Sequence, residues 1–190
     1  ICGFNLSCVG DERCYSHISS RTGDTLADQA ISSSIFQFKN KKNYSFLDRG
    51  SDERQYCSPG IDLPVATFCK SKFGEYPEYH TSDDNLKVVT KNGLEESLNV
   101  FSLIIDSLEI GCIPKNEFMC EPNLGKRNLY PLTSKKGNYK DIKIRMNLFA
   151  FSDGKENIFN ISKKINSSLN EVIKEYKVLL KEKLLKNKYY

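Results

Sequence analysis

An α/β domain followed by a small helical module is the fold class that this sequence predicts. Three observations carry that reading. Strand-like segments lie at residues 1–10 and 44–47, helix-period segments lie between and after them, and a stretch rich in Pro, Gly, Asn and Lys at 110–137 separates them from a basic tail. Strands separated by helices bury their apolar faces best as a sheet with helices on both sides.

In chain order, residues 1–10 read as a strand in which Phe4, Cys8 and Val9 supply apolar contacts and Gly10-Asp11-Glu12 ends it. Asp24 is the expected N-cap of a helix carrying Leu26, Ala27, Ala30 and Ile31, since its carboxylate can accept from the first free amides. A second strand is expected at 44–47. The spacing of Leu94, Leu98, Phe101, Ile105 and Leu108 predicts a helix over 94–109. Pro114, Pro122 and Pro131 exclude any long helix from the segment that follows. Three helices are then predicted at 141–151, 156–165 and 169–185. In the last of them Leu169, Val172, Ile173, Tyr176, Leu179 and Leu180 form one apolar stripe, and Ser168 with Glu171 makes a capping box. Three short helices with a sharp turn before the third outline a winged-helix module. The domains are therefore read as 1–112, a connector at 113–137, and a module at 138–190.

At 190 residues, the chain holds one ordinary domain and a small module. The longest aliphatic run, Leu103-Ile104-Ile105, is far short of the ~20 apolar residues that span a bilayer, so a soluble protein with no membrane partner is expected. Seven irregularly spaced cysteines without a CxxC pair favour reduced thiols in the cytoplasm. Charge is unevenly placed, with 14 Lys or Arg against 6 Asp or Glu in residues 135–190 and 14 against 18 before them. Such a tail suits either nucleic acid or the solvated face of Lys-rich helices, and the second reading is favoured. A start at Ile1, already strand-like, leads us to expect a fragment of a longer protein.

Chemistry concentrates in residues 49–86. There His80 sits between Tyr79 and Thr81-Ser82, Asp83 and Asp84 follow, and Arg49, Asp52, Glu53 and Arg54 lie upstream. Such a mixture of Gly, Pro, Tyr and carboxylates in a loop region reads as a site. Without further information, His17 and His80, the two histidines of the chain, would be ordinary hydrogen-bonded residues.

Residues 51–55 (S-D-E-R-Q), 58–64 (S-P-G-I-D-L-P) and 74–85 (G-E-Y-P-E-Y-H-T-S-D-D-N) carry a resemblance, extended by 2–11, by Ser19-Ser20-Arg21 and by 121–131. Together they resemble the C-terminal half of di-zinc aminopeptidase-like proteins, in the branch found in bacterial polysaccharide-biosynthesis loci. The resemblance implies part of a three-layer α/β/α domain followed by a winged-helix module, and a cofactor of up to two zinc ions in the complete protein. It implies that His80 is a metal ligand. The family's N-L-D-M-x-G pattern stands here as Asn5-Leu6-Ser7-Cys8-Val9-Gly10, with Ser7 in place of the ligand aspartate. Strand alternation puts Ser7, Val9 and Asp11 on one face, which makes Asp11 the candidate substitute. The family's His-x-Asp and Glu-bearing segments, which supply further ligands and the general base, are not found here.

Three readings of function follow. In the first, the parent protein is a zinc-dependent hydrolase of an amide bond in a peptide or an acylated amino-sugar precursor, and this chain alone is inactive. His80 and Asp11 would be ligands, with Arg49, Asp52, Glu53, Arg54, Tyr79 and Asp83 lining the substrate cleft. Its partner would be a missing N-terminal half, or a second copy meeting the exposed edge of the first strand. In the second reading the fold is a non-enzymatic binding or regulatory scaffold. Its third tail helix carries Lys174, Lys177, Lys181 and Lys183, but also Glu171, Glu175 and Glu182, so protein docking or weak phosphate contact is expected before sequence-specific DNA binding. In the third, the chain is a degenerate product that keeps its fold without a function.

Overall fold

The computed structural model describes residues 1–130 and 139–189, which form two units, Ile1–Ile104 and Ile105–Tyr190. Pro131 and the connector residues 131–137 lie outside the described residues.

The first unit is built on four strands, β1 (Gly3–Leu6), β2 (Tyr15–Ile18), β3 (Lys41–Tyr44) and β4 (Val65–Cys69), in the order β1-β4-β2-β3. β1 runs parallel to β4, β4 antiparallel to β2, and β2 parallel to β3. All five residues of β4 are buried. Because alternate side chains point to opposite faces, both faces of the sheet must be covered at this strand. Helix α1 (Leu26–Ser34) buries Leu26, Ala27, Ala30 and Ile31. From α3 (Lys91–Glu109), Phe101 meets Phe4 and Phe68 edge-on at 5.7 and 5.3 Å.

Several boundaries differ from the sequence reading. The first strand is shorter than 1–10, because Cys8 takes a left-handed backbone with φ 51° and turns the chain out of the sheet. Thr25, not Asp24, caps α1: its hydroxyl accepts from the Asp28 amide while the Asp28 carboxylate accepts from the Thr25 amide. The strand expected at 44–47 ends at Tyr44, where Ser45 and Asp48 form a reciprocal cap on a 3-10 turn, Phe46–Asp48. β2 and β4 went unseen, since a run of four or five residues has too few side chains to declare a period. α2 (Glu53–Tyr56) is a single turn inside the motif region.

Helix α3 forms where expected, with a different face inward. Gly93, Ser97, Val100, Ile104 and Ser107 are its buried positions, while Leu94 and Leu98 of the predicted stripe are 47% and 65% exposed. A Cβ on Gly93 would stand 2.0 Å from the Gly10 carbonyl oxygen, so the start of α3 lies directly against the loop after β1. Thr90 N–H donates to the Gly10 carbonyl at 2.9 Å and the Ser97 hydroxyl to that of Val9 at 2.7 Å, which anchors the helix to that loop.

The second unit contains β5 (Ile113–Asn116), α4 (Tyr139–Phe151), α5 (Ile158–Lys164), α6 (Leu169–Lys181) and β6 (Leu185–Lys188). β5 pairs antiparallel with β6, so the segment read as a connector begins with a strand. The last predicted helix stops at Lys181 rather than at 185: Lys183 turns left-handed at φ 54° and the chain leaves as β6. The Ser168–Glu171 capping box is present. Leu169, Val172, Ile173, Tyr176 and Leu179 are buried as one stripe, and the Tyr176 hydroxyl donates to the Gly111 carbonyl at 2.9 Å. No helix among the described residues is long and apolar enough to cross a membrane.

Candidate functional site

Parallel pairing of β1 and β4 brings their C-terminal ends to one rim of the sheet. There the loop after β1 faces the long segment that follows β4. Between them lies a cavity of about 320 Å³, walled by Cys8, Gly10 and Asp11 on one side and by Tyr76, Tyr79 and Asp84 on the other. A crevice outside the carboxyl ends of parallel strands is where α/β sheets place their ligands.

Its walls are held by local chemistry. Gly10 is required by closeness, since a Cβ there would meet Val89 Cγ1 at 2.6 Å. Tyr76 donates from its hydroxyl to Asp84 Oδ2 at 3.0 Å and lies 3.6 Å from Cys8 Sγ. Burial, then these two neighbours, push the Tyr76 hydroxyl well above the ordinary tyrosine range, so it stays a proton donor. The Tyr79 ring meets Tyr76 edge-on at 5.6 Å and stacks on His80 at 3.9 Å. Arg13 clamps Glu78 through two bonds of 2.9 and 2.7 Å, which hold the Glu78 carboxyl below its usual value. The clamp ties the loop after β1 to the aromatic segment.

His80 is exposed and left-handed at φ 59°, a conformation that a residue bearing a Cβ seldom takes and that recurs at functional positions. Cys8, a wall of the cavity, shares that conformation, whereas His80 does not itself line the cavity. Tyr79 lines the cavity; Asp83 is exposed, its amide donating to the Thr81 hydroxyl at 3.2 Å and its carbonyl accepting from the Asn85 amide at 2.9 Å. Asp84 is engaged by Tyr76 rather than by His80.

Asp11 lines the cavity but is 5% exposed, and its carboxylate accepts from the Ser71 amide at 2.7 Å, the Ser71 hydroxyl at 2.9 Å and the Arg13 amide at 2.8 Å. A carboxylate so engaged holds backbone in place. Among the described residues, no group of three or more His, Cys, Asp or Glu side chains could hold a metal ion. The donors of this chain taken alone therefore do not fit a zinc centre.

The upstream candidates divide. Glu53 was expected on the cleft surface and is fully buried, accepting from the Gly50 amide at 2.8 Å, the Ser51 amide at 3.1 Å and Asn5 Nδ2 at 2.8 Å. Two backbone donors and an amide must be satisfied there, which a carboxylate does with its two oxygens. Asp52 and Arg54 are exposed, and Arg49 folds back over the Phe46 ring at 4.7 Å. None of these four lines the cavity at the sheet rim.

His17 is buried, with Nε2 2.9 Å from Asp28 Oδ1. Burial pushes the Asp28 carboxyl up, but bonds from His17, Ser20 and Thr25 outweigh it and hold the carboxyl well below its ordinary range. Sequence reasoning missed Cys8 and Tyr76 as walls of the cavity and Arg13 as the clamp on Glu78. The signal for Tyr76 was its place in the same G-E-Y-P-E-Y-H string, whereas nothing local marks Cys8 or Arg13.

Comparison with known proteins places these features in context. The chain is 31% identical over 97% of its length to a candidate polysaccharide-biosynthesis protein with an aminopeptidase-like domain from Clostridium acetobutylicum, and it spans 43% of that relative. A crystal structure of a candidate peptidase from Clostridium acetobutylicum superposes with a TM-score of 0.77 at 30% identity, over 97% of this chain and 41% of the other. The scaffold is thus peptidase-like. A winged helix-turn-helix family matches residues 112–187. Residues 1–111, which hold the whole sheet and the cavity at its rim, match a domain of unknown function, DUF4910, and the chain belongs to that family.

Proposed function

We propose that this chain is the cleft-forming part of a longer aminopeptidase-like hydrolase that cleaves an amide bond with the help of zinc. The observation that carries the reading is the cavity at the ends of β1 and β4, walled by Tyr76, Tyr79 and Asp84 on a peptidase-like scaffold. His80, stacked on Tyr79, is the ligand this chain would contribute. Asp11 would serve chiefly as a brace, since its carboxylate accepts from Ser71 and Arg13. The remaining ligands and the base would come from other parts of the polypeptide, because the chain spans less than half of its relatives. The free edge of β1 and the exposed Leu94 and Leu98 offer a surface on which such parts would pack. A bound zinc would polarise the amide carbonyl and acidify a water. This chain's own residues would shape the cleft, with the Tyr79 face as an apolar wall and the Tyr76 hydroxyl as a donor.

The test is metal content by plasma mass spectrometry, measured on the longer polypeptide and on this chain alone, each with and without His80→Ala. Zinc retained by the longer protein and lost on His80→Ala, with hydrolysis of an aminoacyl amide lost in parallel, supports the reading. Two zinc ions held tightly by this chain alone would refute it. A longer protein that binds no zinc and cleaves no amide would shift the assignment to a non-enzymatic scaffold.

A further inference from the structure

A second cavity, about 300 Å³, shares Tyr76 with the candidate cleft and takes its walls from the loop before β2, from β3 and from the segment after β4. Three cations line it, Arg13, Lys42 and Lys72, against one lining carboxylate, Glu75. Arg13 is neutralised by its clamp on Glu78, which leaves two lysines to one glutamate. That glutamate satisfies neither of them: Lys42 Nζ stands 3.9 Å from Glu75 Oε2 and Lys72 Nζ 4.0 Å from Oε1, beyond hydrogen-bonding reach. Lys72 Nζ donates one long bond, 3.4 Å, to the Phe73 carbonyl and is held over the Tyr44 and Phe73 rings at 5.2 and 5.0 Å, which restrains its ammonium and leaves it two further N–H donors.

An independent observation points to the same place. The Tyr44 hydroxyl is the buried side-chain polar atom that makes no hydrogen bond of ordinary length among the described residues. Buried hydroxyls are nearly always satisfied, so an orphan calls for a partner. Apart from burial, the groups acting on it are Glu75, Cys14 and Lys42, all of them walls of this cavity; the Lys42 ammonium can only donate to the hydroxyl oxygen, which leaves the hydroxyl proton without an acceptor.

We propose that this cavity binds a small oxoanion, a carboxylate or phosphate group of a ligand, between the ammonium groups of Lys42 and Lys72, with the Tyr44 hydroxyl donating to it. The excess positive charge selects an anion, and the two lysine donors with one hydroxyl match the lone pairs of a group bearing two or more oxygens. The site is independent of whether the neighbouring cleft hydrolyses anything. Glu75 opposes the ligand and limits its affinity.

The experiment is calorimetric and NMR titration of the whole chain with inorganic phosphate and with glutarate, glucose serving as the uncharged control. Saturable binding of either anion is expected. Lys42→Met and Lys72→Met should each weaken it about tenfold or more, as loss of a charged hydrogen-bond donor would. Tyr44→Phe, which keeps the ring beneath Lys72, should weaken it about fivefold. Glu75→Gln should tighten binding and rules out a merely structural effect of the lysine changes. Preference between phosphate and glutarate identifies which group the natural ligand carries. No saturable binding of either anion by a folded protein overturns the proposal, as does weaker binding in Glu75→Gln or an unchanged affinity in both lysine variants.

Discussion

The two units of this chain use their buried carboxylates in contrasting ways. In the first, Asp11, Glu53 and Asp28 turn inward to satisfy backbone amides: those of Ser71 and Arg13, of Gly50 and Ser51, and of Ser20 and Thr25. In the second, the carboxylate buried on α6 is met by a side chain, Arg145 Nε donating to Glu175 Oε2 at 2.8 Å while Nη1 of the same guanidinium reaches the Leu129 carbonyl. The difference follows from backbone need. Helices satisfy their own amides, whereas loops at a sheet rim leave donors that only a side chain or water can meet. A carboxylate in a motif-rich loop is therefore as ready to be a brace as a ligand.

Breaking the ion pair of the second unit should have the largest effect. Arg145→Met leaves Glu175 buried without its cation and should destabilise that unit by about 4 kcal/mol in urea unfolding, with restoration in Arg145→Met/Glu175→Leu. A loss under about 1 kcal/mol would mean that water reaches Glu175. In the first unit, Gly93→Ala should cost about 3 kcal/mol, because the new Cβ meets the Gly10 carbonyl and displaces the start of α3 from the loop beside the cavity. Amide-exchange protection at Thr90 should fall with it.

Asp28→Asn comes next, at about 2 kcal/mol, since the amide cannot accept at both oxygens from His17, Ser20 and Thr25. Its pH dependence sharpens the point. The native carboxyl lies below its unfolded value, so its contribution is complete above pH ~4 and is lost as pH falls through the lower native value. Stability of Asp28→Asn should accordingly fall less steeply in acid than that of the parent, and parallel curves would contradict the assignment. Smallest of all, Lys174→Ala removes an exposed contact to Asp141 and should leave the unfolding midpoint unchanged.

How much could be read from the residues depended on how local the cause was. The three tail helices and the Ser168–Glu171 cap were legible because a helix is decided within one or two turns by spacing and capping. The chemical concentration at 74–85 was legible too, and Tyr79 stands in the cavity wall. Cys8 and Arg13 were not, because their partners lie 65 or more residues away: Glu78 for Arg13 and Tyr76 for Cys8. The inward face of α3 was misread for the same reason. Its apolar residues occupy more than one face, and the clearance at Gly93 chose which face meets the sheet.

By itself, then, the sequence determined the α/β class, the positions of the long helices, the basic tail and the segment where chemistry gathers, since these rest on composition and on periods of a few residues. Tertiary structure decided the sheet order, the inward turn of Asp11 and Glu53, and the pairing of two cavities around Tyr76. The physical reason is that a carboxylate's role depends on which unsatisfied donors surround it. In this fold those donors come from strands and loops far apart in the chain.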